Sequence, residues 1–295
     1  MIKYSEKYKL EVKVLKTGLV LEGGGFRGIY TAGVLDVFME NGISFEGVIG
    51  VSAGAIHGCS YLSAQKGRSI DYYTKYCNDW RFMSIKSFIK TGNVVSVDFA
   101  YHELPEKLVP YDYKAFDNCG VPFYVTVTNL ETGKPEYIKI NDMLADIDCL
   151  RASASLPYFS QIVEINGNKY LDGGCADSIP IKAFQNMGYK RNVIVLTRHD
   201  GYVKKQEHGV FAKLLYRKYP EFVKTLLGLQ ERYNQTLEYI KALEKNGEIF
   251  VIRPSVPLTI GRMEHDSVRV REVYDIGASD ARREMQKLND WLAKA

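Results

Sequence analysis

The chain is poor in the features that mark secreted, metal-bound or membrane-spanning proteins. Of its 295 residues only five are cysteine (Cys59, Cys77, Cys119, Cys149 and Cys175), an odd number without C-x-x-C spacing, which speaks against both a disulfide framework and a zinc site. Histidine is equally sparse. His102, His199, His208 and His265 stand alone without metal-ligand spacing, so neither a metal nor another cofactor is expected. No apolar run approaches the ~20 residues needed to cross a bilayer, and the opening nine residues are charged rather than signal-like. A cytoplasmic protein is therefore expected, at most peripheral to the inner membrane surface. Low-complexity tracts, internal repeats and proline-rich linkers are missing too, which favours one domain over 1–295, with a catalytic core at about 16–200 and a helical cap and C-terminal completion at about 201–295.

What is present suits a globular α/β protein. The composition is 46% hydrophobic and 25% charged, ample for a sizeable core, and the net charge of +4 is too mild to name a partner. Strand-like runs fall near Thr17–Glu22, Gly47–Val51, Phe123–Thr128, Tyr137–Ile140, Lys169–Leu171, Asn192–Thr197 and Ile249–Arg253. Helical periodicity marks Tyr30–Glu40, Ala53–Ala64, Leu144–Ser155, Pro180–Met187 and Val268–Leu292. That alternation predicts an α/β sandwich, with active loops beyond the carboxyl ends of parallel strands.

Three segments carry chemistry. Gly50-Val51-Ser52-Ala53-Gly54 follows a strand and opens a helix, an arrangement that presents Ser52 as a nucleophile because Gly50 and Gly54 relieve crowding at a sharp turn. Gly23-Gly24-Gly25-Phe26-Arg27-Gly28 empties from an earlier strand just before a helix, where backbone N–H groups favour a negative oxygen, either of a phosphate or of a tetrahedral acyl intermediate. The spacing Gly23, Gly25, Gly28 also satisfies G-x-G-x-x-G, with Glu46 near the position of a ribose-binding acid; a nucleotide or acyl-lipid binding protein is the rival reading. It leaves Gly50, Ser52 and Gly54 unexplained. In Asp172-Gly173-Gly174 an acid leaves a short strand, and a carboxylate held beside Ser52 could accept its proton, although Asp-Gly-Gly also reads as a turn.

Taken together and in this order, the segments resemble the patatin-like phospholipase family. The resemblance rests on Gly23–Gly28 as its oxyanion loop, Gly50–Gly54 as its nucleophile elbow, and Asp172-Gly173-Gly174 as the acidic half of a Ser-Asp dyad. Pro180 fits the pattern beyond the D-G-G, with Ser178 two before it, and the small-residue stretch Ala152–Pro157 is similar to the one preceding the acidic motif. The resemblance, good over roughly 16–200, implies a three-layer α/β/α sandwich with a mainly parallel central sheet. It also implies a serine acyl hydrolase acting on phospholipids or related lipid esters through an acyl-enzyme. A peptidase or thioesterase would use the same nucleophile.

Other residues admit two readings each. His57 lies five positions after Ser52 on the same helix, off the face shared by i+3 and i+4, which argues against a Ser-His-Asp triad. Arg27 could steer an anionic head group or form a surface ion pair. The stretch 203–234 interleaves lysines and arginines with aromatic residues around Pro220; it suits either peripheral membrane association or an amphipathic helix packed on the body, and packing is the preferred reading. It matches no nucleic-acid module, so no nucleic acid is expected. Oligomeric state is not legible.

Overall fold

The computed structural model describes residues 16–206 and 209–294. The chain opens with β1 (Thr17–Leu21), a tight turn over Gly25–Gly28, α1 (Ile29–Glu40), β2 (Gly47–Val51) and α2 (Ala53–Leu62). Short helices follow: α3 (Arg68–Tyr76), α4 (Ile85–Thr91), a loosely wound π-type segment over Asp98–Leu108, and α5 (Tyr113–Asn118). Next come β3 (Phe123–Asn129), β4 (Pro135–Ile140), α6 (Ile147–Ser153), β5 (Val163–Ile165), β6 (Asn168–Asp172) and α7 (Ile181–Asn186). The chain closes with β7 (Arg191–Val195), α8 (Val210–Leu215), α9 (Pro220–Lys245), β8 (Ile249–Ile252) and α10 (Ser267–Leu292).

Strands β3-β2-β1-β7-β8 lie parallel, β4 and β6 pair antiparallel with β3, and β5 pairs antiparallel with β6, so the eight strands form a mixed sheet. Side chains alternate across it, as the two-residue strand period requires. Leu19, Leu21, Val48, Val193 and Val195 join α1, α2, α3 and α10 in one core, while Val20, Ile49 and Ile194 join Phe184 of α7 and Tyr233, Ile240 and Leu243 of α9 in another. This is the three-layer α/β/α arrangement.

Helix α1 is buried on every side from Ile29 to Phe38, because it is wedged between the sheet and α10. The α1–α10 approach is backbone to backbone: a Cβ at Gly33 would stand 2.2 Å from the Tyr274 carbonyl, and one at Gly277 would stand 2.1 Å from that of Tyr30. Pro220 sits in the first turn of α9, where its missing N–H costs no helical bond. From there Phe222, Leu226, Leu229, Tyr233, Ile240 and Leu243 form the buried stripe of a packed amphipathic helix. The preferred reading of 203–234 therefore holds for α9. The shorter α8 differs: Ala212 is buried, but Val210, Phe211, Leu214 and Leu215 are exposed. Among the described residues no helix is long and apolar enough to cross a membrane.

Candidate active site

Strand β3 brings the two distant motifs together. One edge of β3 pairs with β4 from Phe123 to Thr128. The other is shared: β2 pairs with it up to Val51 opposite Thr126, and β6 takes over with Asp172 opposite Val127. Since strand residues rise about 3.3 Å each, the end of β2 and the end of β6 meet head-on, with Ser52 and Asp172 at the junction.

Ser52 occupies the turn between β2 and α2 with φ 53° and ψ −124°, a conformation a non-glycine residue adopts only under strain. The surroundings hold it there. Ser52 N–H donates to Ser153 Oγ at 2.8 Å, Ser153 Oγ donates to the Thr126 carbonyl at 2.7 Å, and the Ser52 carbonyl accepts from Ile56 N–H at 3.1 Å as α2 begins. Close approach explains the flanking glycines. A Cβ at Gly54 would lie 2.5 Å from the Leu21 carbonyl, and one at Gly50 would lie 2.6 Å from Ala55 Cα.

Asp172 is buried, and its Oδ1 accepts from Gly174 N–H at 2.7 Å. Its own N–H donates to the Ser155 carbonyl at 2.8 Å, so the 152–157 stretch supports both the serine and the acid. Ser178 Oγ donates to the Gly174 carbonyl at 2.7 Å and closes the D-G-G turn; a Cβ at Gly173 would meet the Thr126 carbonyl at 2.1 Å. Asp172 Oδ2 has no well-formed hydrogen bond. Burial pushes the Asp172 carboxyl up to about 6, against the opposing pull of the Ser52 hydroxyl, Gly174 N–H, Arg262 and Lys204. That places it near the range of a general base working at neutral pH.

The glycine loop lies against the serine. A Cβ at Gly23 would stand 3.0 Å from Ser52 Cβ, and one at Gly28 would stand 2.5 Å from Ala53 Cβ. Gly25 turns the chain at φ +57°, with the Arg262 carbonyl on its open side. Phe26 N–H donates to that carbonyl at 3.2 Å, and Arg27 N–H donates to the Gly24 carbonyl at 3.2 Å. Glu22, buried just before the loop, accepts from Thr197 N–H at 2.5 Å and from Tyr233 Oη at 2.6 Å, while Thr197 Oγ1 donates to the Gly23 carbonyl at 3.2 Å. The loop is thus tied to β7 and α9. Burial and the neighbouring Arg198 lower Arg27 to about 10.

Two cavities meet at Ser52. One is apolar and lined by Phe26, Ile56, Tyr73, Phe82, Leu104 and Leu150. The other is bordered by the glycine loop, Arg27, Asp172, Lys204 and Arg262.

Several sequence-marked residues lie elsewhere. Burial drives His57 down to about 3, keeping it neutral; its Nδ1 lies 3.0 Å from Ser69 Oγ and its ring packs on Tyr73 at 5.3 Å. Glu46 accepts from Thr17 N–H at 2.7 Å at the opening of β1, the opposite end of the strand from the glycine loop. It is not placed to read a ribose there. Ser153 and Ser155 belong to the 152–157 stretch marked from sequence, whereas Glu22, Tyr233 and Arg262 were not singled out. Glu22 could have been noticed as a lone acid ending an apolar strand; Tyr233 and Arg262 give no local signal, because their roles come from elements remote in sequence.

The patatin-like phospholipase family model matches residues 19–184, more than half of the chain. This chain belongs to the patatin-like phospholipase family. A second model, a domain of unknown function (DUF6363), matches residues 219–293, which include all of α9, β8 and α10. The uncharacterized protein YjjU of Escherichia coli is 32% identical over 187 residues, covering 62% of this chain and 52% of that protein. Lysophospholipase NTE1 of Cryptococcus neoformans is 28% identical over 188 residues, 60% of this chain and 11% of that protein. The match thus spans about half the length of the first relative and a small part of the second. The crystal structure of VipD from Legionella pneumophila aligns with 92% of this chain and 67% of its own at TM-score 0.45 and 12% identity. Ser52, Asp172 and the glycine loop all fall within the patatin-like match.

Proposed function

We propose that this chain is a lipid acyl hydrolase working through a Ser52–Asp172 dyad. The observation that carries this reading is Ser52 on its strained strand-to-helix turn beside a buried Asp172 whose carboxyl is raised to about 6. In the first half-reaction Asp172 takes the proton from Ser52 Oγ as that oxygen bonds to the ester carbonyl carbon. The N–H groups of Gly24 and Gly25, presented by the Gly23–Gly28 loop, stabilise the oxyanion. Protonated Asp172 then gives its proton to the leaving alcohol oxygen as the C–O bond breaks, and acyl-Ser52 remains. In the second half a water loses a proton to Asp172 while its oxygen attacks the acyl carbon; collapse returns that proton to Ser52 Oγ and releases the fatty acid.

The two cavities support a phospholipid or lysophospholipid as substrate, with an acyl chain in the apolar one and a phosphate near Arg27, Lys204 and Arg262 in the other. The relationship to proteins named lysophospholipases points the same way. Exposed Val210, Phe211, Leu214 and Leu215 of α8, flanked by Lys213, Arg217 and Lys218, would rest on an anionic lipid surface, placing the protein at the cytoplasmic side of a membrane. Contacts from Tyr233 to Glu22 and from the Arg262 carbonyl to Phe26 favour 201–295 completing one domain with the core.

A fluorophosphonate probe with an ester hydrolysis assay tests the dyad. Wild type is expected to label and to turn over ester, with kcat rising as pH climbs through about 6, where Asp172 loses its proton. Ser52→Ala should abolish both signals, and Asp172→Asn should lower kcat by ~10²–10⁴ and remove that pH limb. Hydrolysis retained by Ser52→Ala would sink the proposal.

A further inference from the structure

The apolar cavity is not apolar throughout. Arg68, only 8% exposed, lines it together with Tyr72 and Tyr111. Its guanidinium reaches only neutral oxygens, Ser60 Oγ at 3.3 Å and the Val109 carbonyl at 3.1 Å, and stands over the rings of Tyr72 and Tyr111 at 5.3 and 5.2 Å. Among the described residues no carboxylate pairs with it, and both Arg68 Nε and the Tyr72 hydroxyl are buried without a hydrogen-bond partner. A buried cation is costly unless an anion pairs with it. Arg68 and Tyr72 both line this cavity, and the buried cation left without an anion there marks a place for anionic oxygen.

Helix α2 supplies the scale. Ser60 is eight residues beyond Ser52, about 12 Å along the helix at 1.5 Å per residue. An extended aliphatic chain of about eight carbons spans most of that distance, given C–C bonds of about 1.5 Å. We propose that the cavity ends in a carboxylate site, where Arg68 and Tyr72 hold the anionic end of an aliphatic chain whose other end lies at Ser52. The carboxylate has two sources: the far end of an acyl group being cleaved, in which case the site selects ω-carboxylated acyl esters, or a free fatty acid that enters head-first and blocks the cavity. The first source rests on the acyl hydrolase reading above; the second does not.

The substrate arm compares p-nitrophenyl octanoate with the mono-p-nitrophenyl ester of suberic acid. Wild type should prefer the suberate ester by ~10-fold or more in kcat/KM, as a charge-assisted hydrogen bond warrants. That ratio should collapse in Arg68→Met, survive in part in Arg68→Lys, and drop a few-fold in Tyr72→Phe. Replacing a buried charge by an apolar side chain is commonly tolerated, and Tyr72→Phe removes only the orphaned hydroxyl, so a folded variant is available either way. The binding arm uses calorimetry of octanoate and octanol on Ser52→Ala, with and without Arg68→Met, and needs no turnover. Tighter octanoate binding that depends on Arg68, without a preference for the suberate ester, assigns the site to free fatty acid. No ester preference together with equal binding of octanoate and octanol overturns the proposal. Absence of all ester turnover defeats the hydrolase reading and leaves the binding arm to decide this one.

Discussion

The two cavities that meet at Ser52 are built by different means. The apolar one is walled by side chains from α2, α3, the 98–108 segment and α6, a set of short helices stacked beside the sheet. The basic one is bordered largely by loops and by backbone: the glycine loop before α1, the turn after β6, and the segments that carry Lys204 and Arg262. Ser52 thus faces an apolar phase on one side and a cationic, partly open one on the other. An amphipathic ester lying across Ser52 would have each half in the environment it prefers, which aligns the ester bond without a dedicated clamp.

The contrast can be broken most sharply on the apolar side. Ile56, one helical turn beyond Ser52, lines that cavity, and Ile56→Trp should close its entrance. Losing burial of about four methylenes predicts a drop of ~10² in kcat/KM for octanoate esters with acetate esters far less affected, read from a chain-length series. An equal loss for both esters would mean the cavity does not hold the acyl chain.

On the basic side, Arg262→Gln keeps the backbone carbonyl that Phe26 uses and removes a cation that lowers the Asp172 pKa. Phosphate-bearing substrates should lose about 10-fold in kcat/KM, while a neutral ester loses less. The acid limb of the pH profile should also move upward from about 6, because the ionised carboxylate loses a stabilising neighbour. A limb that stays in place would show that Arg262 acts only on the substrate.

The smallest effect is expected at the lipid surface itself. Leu214→Glu on exposed α8 should lower co-sedimentation with anionic vesicles and vesicle hydrolysis by a few-fold, with soluble ester turnover retained. Unchanged vesicle binding would leave α8 without that role.

Legibility from sequence followed the same division. Strand β2 appears at Gly47–Val51 as its apolar run predicts, and the glycine and serine motifs lie beside it because local chain geometry requires them there. Of the helices walling the apolar cavity, α2 and α6 were expected from sequence, but α3 and the 98–108 segment were not. Arg68–Tyr76 mixes charge with tyrosine, and Asp98–Leu108 carries Pro105, so neither presents a clean helical stripe. The segment expected as a helix from Leu144 begins at Ile147, since the Asp142 side chain accepts from the N–H groups of Leu144 and Ala145 and holds a turn. The antiparallel β5, three residues long, is too short for any period to show.

The sequence by itself determined the chemistry on offer: a serine between glycines, a loop rich in backbone donors, an acid before two glycines, and the order of strands and helices that carries them. These are local properties, set by sterics and periodicity within a few residues. Tertiary structure decided the rest. Only the handover from β2 to β6 along one edge of β3 sets Asp172 beside Ser52, only burial there lifts its carboxyl toward neutrality, and only the packing of α3 against α2 leaves Arg68 inside an apolar cavity without an anion. Each depends on residues far apart in the chain sharing one low-dielectric space, and no local pattern records that.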